Sequence, residues 1–279
     1  GKSLAYGLQH VLTMYGGIIA PPLIIGTAAG LEPAQIGLLI AAALFVGGLA
    51  TILQTVGVKY IGAKLPLVQG VSFAGVATMI AIVTAGGGLS AVYGAVIVAS
   101  LIGFFLAPYF SKIIRFFPPI VTGCVITVIG LSLLPVAVRW MMGGNSKAPD
   151  WGSAENISLA FLTLAIVIVL NITRNATIRR LSILLAIVLG TVLAYAMGFG
   201  DFSKVANGNW IQFPSFFAFG MPTFELSAII AMLIVTLVIM TETTADIIAV
   251  GEIVGTKVDA ERITNGLRAD MLSSAAAPI

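Results

Sequence analysis

Residues 232–251, MLIVTLVIMTETTADIIAVG, decide how the chain is read. A run this long and apolar matches the roughly 20 residues that a helix needs to cross a bilayer. Two acids, Glu242 and Asp246, stand inside it. At 3.6 residues per turn, a spacing of four places them on nearly the same helix face. A charged side chain at the centre of a spanning helix costs about 2.5–3.5 kcal/mol on insertion scales, so the default reading of such an acid is functional. Residues 226–241 carry no charge, which sets Glu242 past the midpoint of the span. Asp246, one turn further on, has a second reading as a solvated interfacial acid.

The rest of the chain agrees with a bilayer. Mean hydropathy is +1.09 and only 9% of the 279 residues are charged, against about 25% in soluble domains. The apolar sequence far exceeds one secretory signal, so the fold class is an all-α polytopic membrane protein. Divided at Pro, Gly and charge clusters, the chain yields about nine spans: 8–26, 36–55, 65–84, 88–108, 118–138, 157–173, 181–199, 226–250 and a last one starting near 267. The single cysteine, Cys124, gives no disulfide framework and no Cys-based metal site.

Charge placement predicts orientation. Lys2, Lys59, Lys64, Lys112, Arg115, Arg174, Arg179, Arg180, Lys257, Arg262 and Arg268 fall at alternate span ends on one side, and Arg139, Lys147 and Lys204 on the other. Eleven against three places the amino terminus in the cytoplasm of a multi-pass protein of the cell membrane. The net charge of +3 therefore reports topology and offers no case for a nucleic-acid partner. The chain opens at GKSLAYGLQH and stops at SSAAAPI inside an apolar segment, so we expect a single membrane domain cut short, trimmed at both ends.

Further candidates surround these acids. The third span, KLPLVQGVSFAGVATMIAI (64–82), is punctuated by Pro66, Gly70 and Gly75, with Gln69 and Ser72 at the break. Such a segment suits a discontinuous helix whose freed backbone faces a ligand, with Phe73 able to stack on a flat ring; small residues there also suit close helix packing. Asp270, in GLRADMLSS, opens the ninth span, where a helix-start acid favourable to the dipole is the alternative. His10, the one histidine, lies at the start of the first span and suits either a proton relay or a satisfied interfacial residue. TAGGGLS reads as a short outer turn without phosphate-loop context. Arg139, Trp140 and Trp151 read as interfacial anchors. NIT and NAT (171–173 and 175–177) match the glycosylation triplet but lie at an end predicted to be cytoplasmic, so they are set aside. No metal cluster and no nucleophile–base pair is apparent in the sequence, which argues against an enzyme.

QHVLTMYGG with PPLIIG, then LPLVQGVSFAGV, FPPIVTGCVITVIGLSLLPV, FGMPTF, ETTADIIAVGEIVG and GLRADMLSS occur in order through essentially the whole chain. Together they resemble the nucleobase–cation symporter-2 family, the nucleobase–ascorbate transporters, and within it the bacterial xanthine and urate permeases. The resemblance implies a fourteen-segment fold of two inverted seven-segment repeats, of which nine segments stand here. It assigns 1–108 and 226–279 to a core domain and 109–225 to a gate. It also implies uptake of an oxidised purine by proton symport, with sodium as the other coupling ion, no cofactor, and a homodimer.

On the same resemblance Glu242 matches the eighth-segment glutamate that accepts hydrogen bonds from ring N–H groups of the base. Phe73 and Ser72 match the third-segment stretch that contacts the base. Asp270 matches a ninth-segment acid needed for transport, and His10 the histidine of the QH motif. Asp246 stands where some eukaryotic members have aspartate and uracil permeases have histidine, one reason to prefer a purine over uracil. The tenth-segment signature, Gln or Glu followed by Asn-x-Gly, lies beyond the last residue, so this polypeptide alone is expected not to transport. A sulfate-type carrier on the same fold would favour helix N-termini and basic groups over a central carboxylate, and Glu242 argues against it.

Overall fold

The computed structural model describes residues 2–113, 119–144, 148–199 and 217–278. Arg115, Lys147 and Lys204 of the charge pattern, and Phe117 and Pro118 of the FPP motif, lie outside the described residues. The described residues are helical, with one isolated bridge between Val58 and Ile61 and no strand among them. Ten α-helices are described: α1 (Lys2–Ala28), α2 (Pro33–Val56), α3 (Val76–Ile82), α4 (Gly88–Ile113), α5 (Pro119–Met141), α6 (Ala154–Ile172), α7 (Ala176–Arg180), α8 (Ser182–Ala196), α9 (Leu226–Ile253) and α10 (Ala260–Ala276). Five stretches among the described residues are long and apolar enough to cross a membrane: Tyr6–Ala28, Pro33–Val56, Phe73–Lys112, Ala154–Ile172 and Leu226–Ile253.

The chain forms two compact units, one from Gly1–Gly17 and Ser132–Gln212, the other from Ile18–Leu131 and Phe213–Ile279. These boundaries differ from the 1–108, 109–225 and 226–279 division implied by the resemblance. In the first unit Thr163 of α6 packs against Gly190 of α8, and Ser153 caps α6 by accepting the Asn156 N–H at 3.2 Å. Asn175, from the NAT triplet, caps α7 by accepting the N–H groups of Thr177 and Ile178 at 2.9 and 3.3 Å.

The second unit is built round α4, α9 and α10. Along α9 the buried residues Met232, Thr236, Met240, Thr244, Ile247 and Gly251 recur every three or four positions. Ile230, Ile234 and Leu237 on the same helix are exposed, as expected of a face turned to lipid. One core cluster joins Ala63, Leu65 and Leu67 to Phe110, Met240 and Leu267; another joins Ile82 of α3 to small residues of α4 and to Met232. The α4–α10 seam adds a bond from Thr264 Oγ1 to Ser111 Oγ at 2.8 Å. Arg268 lays its guanidinium over the Phe104 ring, 5.7 Å from the centroid, while its buried Nε has no hydrogen-bond partner among the described residues.

The break expected in the third segment is present. Residues 62–72 form an irregular strap, followed by a 3-10 turn (Phe73–Gly75) and α3. A π-type turn at Val83–Gly87, with Gly86 at φ 101°, then turns the chain into α4. Hydropathy misplaced one boundary. The last helix starts at Ala260 and not near 267, because Asp259 caps it by accepting the Arg262 N–H at 2.9 Å. Asp270 therefore lies deep in α10, which excludes the helix-start reading.

Segment 220–225 is fixed to α4 by the Thr223 N–H, which donates to Ser90 O at 2.9 Å. A Cβ at Gly94 would collide with the Thr223 carbonyl, a backbone group with little room to yield. Gly94→Ala is expected to cost about 1–3 kcal/mol, the scale of overpacking, read as a fall in thermal stability of the purified protein.

Candidate functional site

Within the second unit the strap, α9 and α10 bring three of the expected residues together. Ser72 N-caps the 3-10 turn: its Oγ accepts the Ala74 N–H at 3.2 Å. The same hydroxyl donates to Glu242 Oε2 at 2.8 Å across 170 residues of sequence. One serine thus ends the strap, starts the half-helix and holds the carboxylate of α9. Glu242 is half-buried, and a carboxylate with two oxygens keeps acceptor capacity beyond a single hydroxyl donor.

The next residue on α9 supplies a second tie. Thr243 Oγ1 donates to Asp270 Oδ2 at 2.6 Å, joining α9 to α10 one residue from Glu242. At that distance the bond lies at the short end for a hydroxyl donor. Neither Thr243 nor this bond was foreseen from sequence, although the polar run TETTAD inside an apolar helix was a visible signal. Asp246 is exposed one turn beyond Glu242, and Phe73, first residue of the 3-10 turn, is half-buried. His10, exposed on α1, is part of the other unit and is not among the residues gathered here.

A cavity of about 750 Å³ opens in the second unit, lined mainly by apolar side chains of α2, α4 and α10, with Met232 and Ile239 of α9. Its polar wall includes Gln69, Ser72, Asp270 and Ser273. Among the described residues the wall does not include Glu242 or Phe73, so Ser72 is the link between the cavity and the carboxylate. Volume and lining fall in the range of small-molecule sites, which pair apolar walls with a few placed polar groups. Among the described residues no group of His, Cys, Asp and Glu has the arrangement of a metal site.

The strap is seated by buried polar ties from α2. Gln54 is fully buried; its Oε1 accepts the Ala63 N–H at 3.1 Å, and its Nε2 donates to Gly266 O of α10 at 3.3 Å. Its backbone carbonyl accepts the Lys64 N–H at 3.0 Å, and the Gly62 N–H donates to Asn265 O at 2.7 Å. Arg262 Nη1 donates to Ala63 O at 2.9 Å. The first residues of the strap are thereby joined to the helix that carries Asp270. Sequence reading missed Gln54, a lone amide at the end of an apolar helix whose only signal was its polarity.

Residues 1–279 match the model of a family described as the Permease family, the nucleobase–cation symporter-2 family. The chain is 42% identical over 267 residues to a uric acid permease of Bacillus subtilis (strain 168), covering 96% of this chain and 62% of that protein. It is 39% identical over 273 residues to a xanthine permease of the same organism, with 98% and 62% covered. To a uric acid transporter of Escherichia coli (strain K12) it is 37% identical over 272 residues, with 97% and 56% covered. The chain thus spans less than two thirds of the length of these relatives.

Thr243→Val keeps side-chain volume and deletes the donor to Asp270. A loss of about 1–3 kcal/mol is expected, the scale of leaving a buried acceptor without its donor. In chemical unfolding, the double variant with Asp270→Asn should lose less than the sum of the two single changes.

Proposed function

Because the chain belongs to the nucleobase–cation symporter-2 permease family, we propose that it forms part of a secondary active transporter for an oxidised purine, xanthine or urate, driven by a proton gradient. The observation that carries this reading is the Ser72–Glu242 bond, which sets a half-buried carboxylate on α9 against the end of a broken helix. A purine ring offers N–H donors, and an ionised glutamate is an acceptor-only group that takes two of them in parallel. In this reading Glu242 receives the base, with Ser72 releasing it or sharing it, and Phe73 stacks on the ring. Asp270 and His10 take part in coupling to protons, and Asp246 supports the site. The names of the relatives as uric acid and xanthine permeases support the substrate class.

The same proposal includes the membrane layout. The chain is a multi-pass membrane protein; the proposed arrangement is nine spans of a fourteen-segment inverted repeat, with the amino terminus in the cytoplasm. Residues 1–108 and 226–279 contribute to a core that moves against the gate formed by 109–225, giving alternating access. The complete transporter sits in the cell membrane as a homodimer. The apolar, exposed face of α9 supports contact with lipid, and the eleven-to-three charge pattern supports the orientation.

Uptake of labelled xanthine by the full-length protein, compared with Glu242→Gln, tests the reading. The amide replaces one acceptor oxygen with a donor that faces the ring N–H, so uptake should fall by a factor of about a hundred, the scale of one hydrogen bond to a charged group. Uptake in the parent should collapse when the proton gradient is dissipated. Undiminished uptake and affinity in the variant would remove Glu242 from the site.

A further inference from the structure

The strap that ends in Ser72 has left the helical pattern, so its backbone groups need partners from outside the segment. At the end nearest the site that partner is Thr51 of α2. Its Oγ1 accepts the Gln69 N–H at 2.9 Å, across 18 residues of sequence, and donates to Gly47 O at 2.7 Å. The Gln69 carbonyl lies 3.5 Å from the same oxygen, too far to compete for its one proton. Gly47, one turn earlier on the same face, lets that carbonyl come close: a Cβ there would stand 3.2 Å from Gln69 O. Thr51 is itself half-buried, and Gly47, Gln69 and Ser72 all line the cavity.

We infer that Thr51 is a positioning residue for substrate binding: by holding the Gln69 N–H it fixes the strap so that Ser72, three residues on, meets Glu242. The inference rests on the purine-uptake reading for the ligand, but its geometry does not. Gln54 fixes the far end of the strap at Ala63 and Lys64. Between those anchors and Ser72 the chain has no helical bonds of its own, so the last fixed point sets where the serine hydroxyl lies. A site held within fractions of an ångström depends on such supporting bonds. Thr51 bonds to Gly47 O and to the Gln69 N–H, and acts through the backbone of Gln69.

Thr51→Val and Thr51→Ser of the full-length protein separate positioning from packing. Valine keeps the branched shape and leaves the Gln69 N–H without its acceptor; serine keeps the acceptor and loses a methyl. Hydrogen–deuterium exchange across residues 65–75, measured without substrate, should quicken about tenfold in the valine variant and stay near the parent in the serine variant. KM for xanthine uptake should rise about tenfold in the valine variant at equal abundance in the membrane, with serine within about twofold of the parent. Gly47→Ala, which keeps the hydroxyl but crowds the Gln69 carbonyl, should quicken exchange across residues 65–75 in the same direction and serves if the valine variant fails to accumulate. Unchanged exchange in the valine variant, or reduced abundance with unchanged KM, overturns the inference. A parent that takes up no purine, with exchange still quickened in the valine variant, overturns the substrate reading and leaves the tether standing.

Discussion

A backbone that leaves the helix inside hydrocarbon exposes N–H and C=O groups that lipid cannot satisfy, so irregular structure survives at that depth only where protein supplies the partners. The strap 62–72 has left the helical pattern, and protein groups supply its partners. Gln54 and Thr51 on α2, Asn265 and Arg262 on α10, and the buried side chains of Leu65 and Leu67 each hold part of it. What the strap gains in return is a serine free to serve at once as a helix cap and as a donor to a carboxylate.

Two ties one residue apart on α9 give the arrangement a further property. Glu242 answers to the strap through Ser72, and Thr243 answers to α10 through Asp270. A shift of α10 relative to α9 therefore reaches the neighbour of Glu242 by one hydrogen bond. Two acids on different helices, Glu242 on α9 and Asp270 on α10, are thus held through adjacent residues of α9.

Much of this was legible in residues. The apolar runs marked helices because spanning length and hydropathy are one-dimensional properties. The break at 64–76 was visible because Pro66, Gly70 and Gly75 disfavour a continuous helix whatever surrounds them. Glu242 stood out because an acid in lipid is costly. The start of α10 was not legible: its first turns, AERITNG, are polar and fall below any hydropathy threshold, yet Asp259 caps them and Arg262 and Asn265 bond to the strap. Asp270 consequently moved from a helix end to a helix interior.

The sequence by itself determined the class of the protein, all-helical and multi-pass, and the break in its third segment. Its motifs also pointed to the family, which the comparisons bear out over all 279 residues. Only the tertiary structure decided which polar groups meet: Ser72 with Glu242, Thr243 with Asp270, Thr51 with Gln69, and Gln54 with both Ala63 and Gly266. The reason is that spacing along a chain fixes periodicity within one helix. A hydrogen bond between residues 170 or 212 apart depends on how several helices pack, a property that no single stretch encodes.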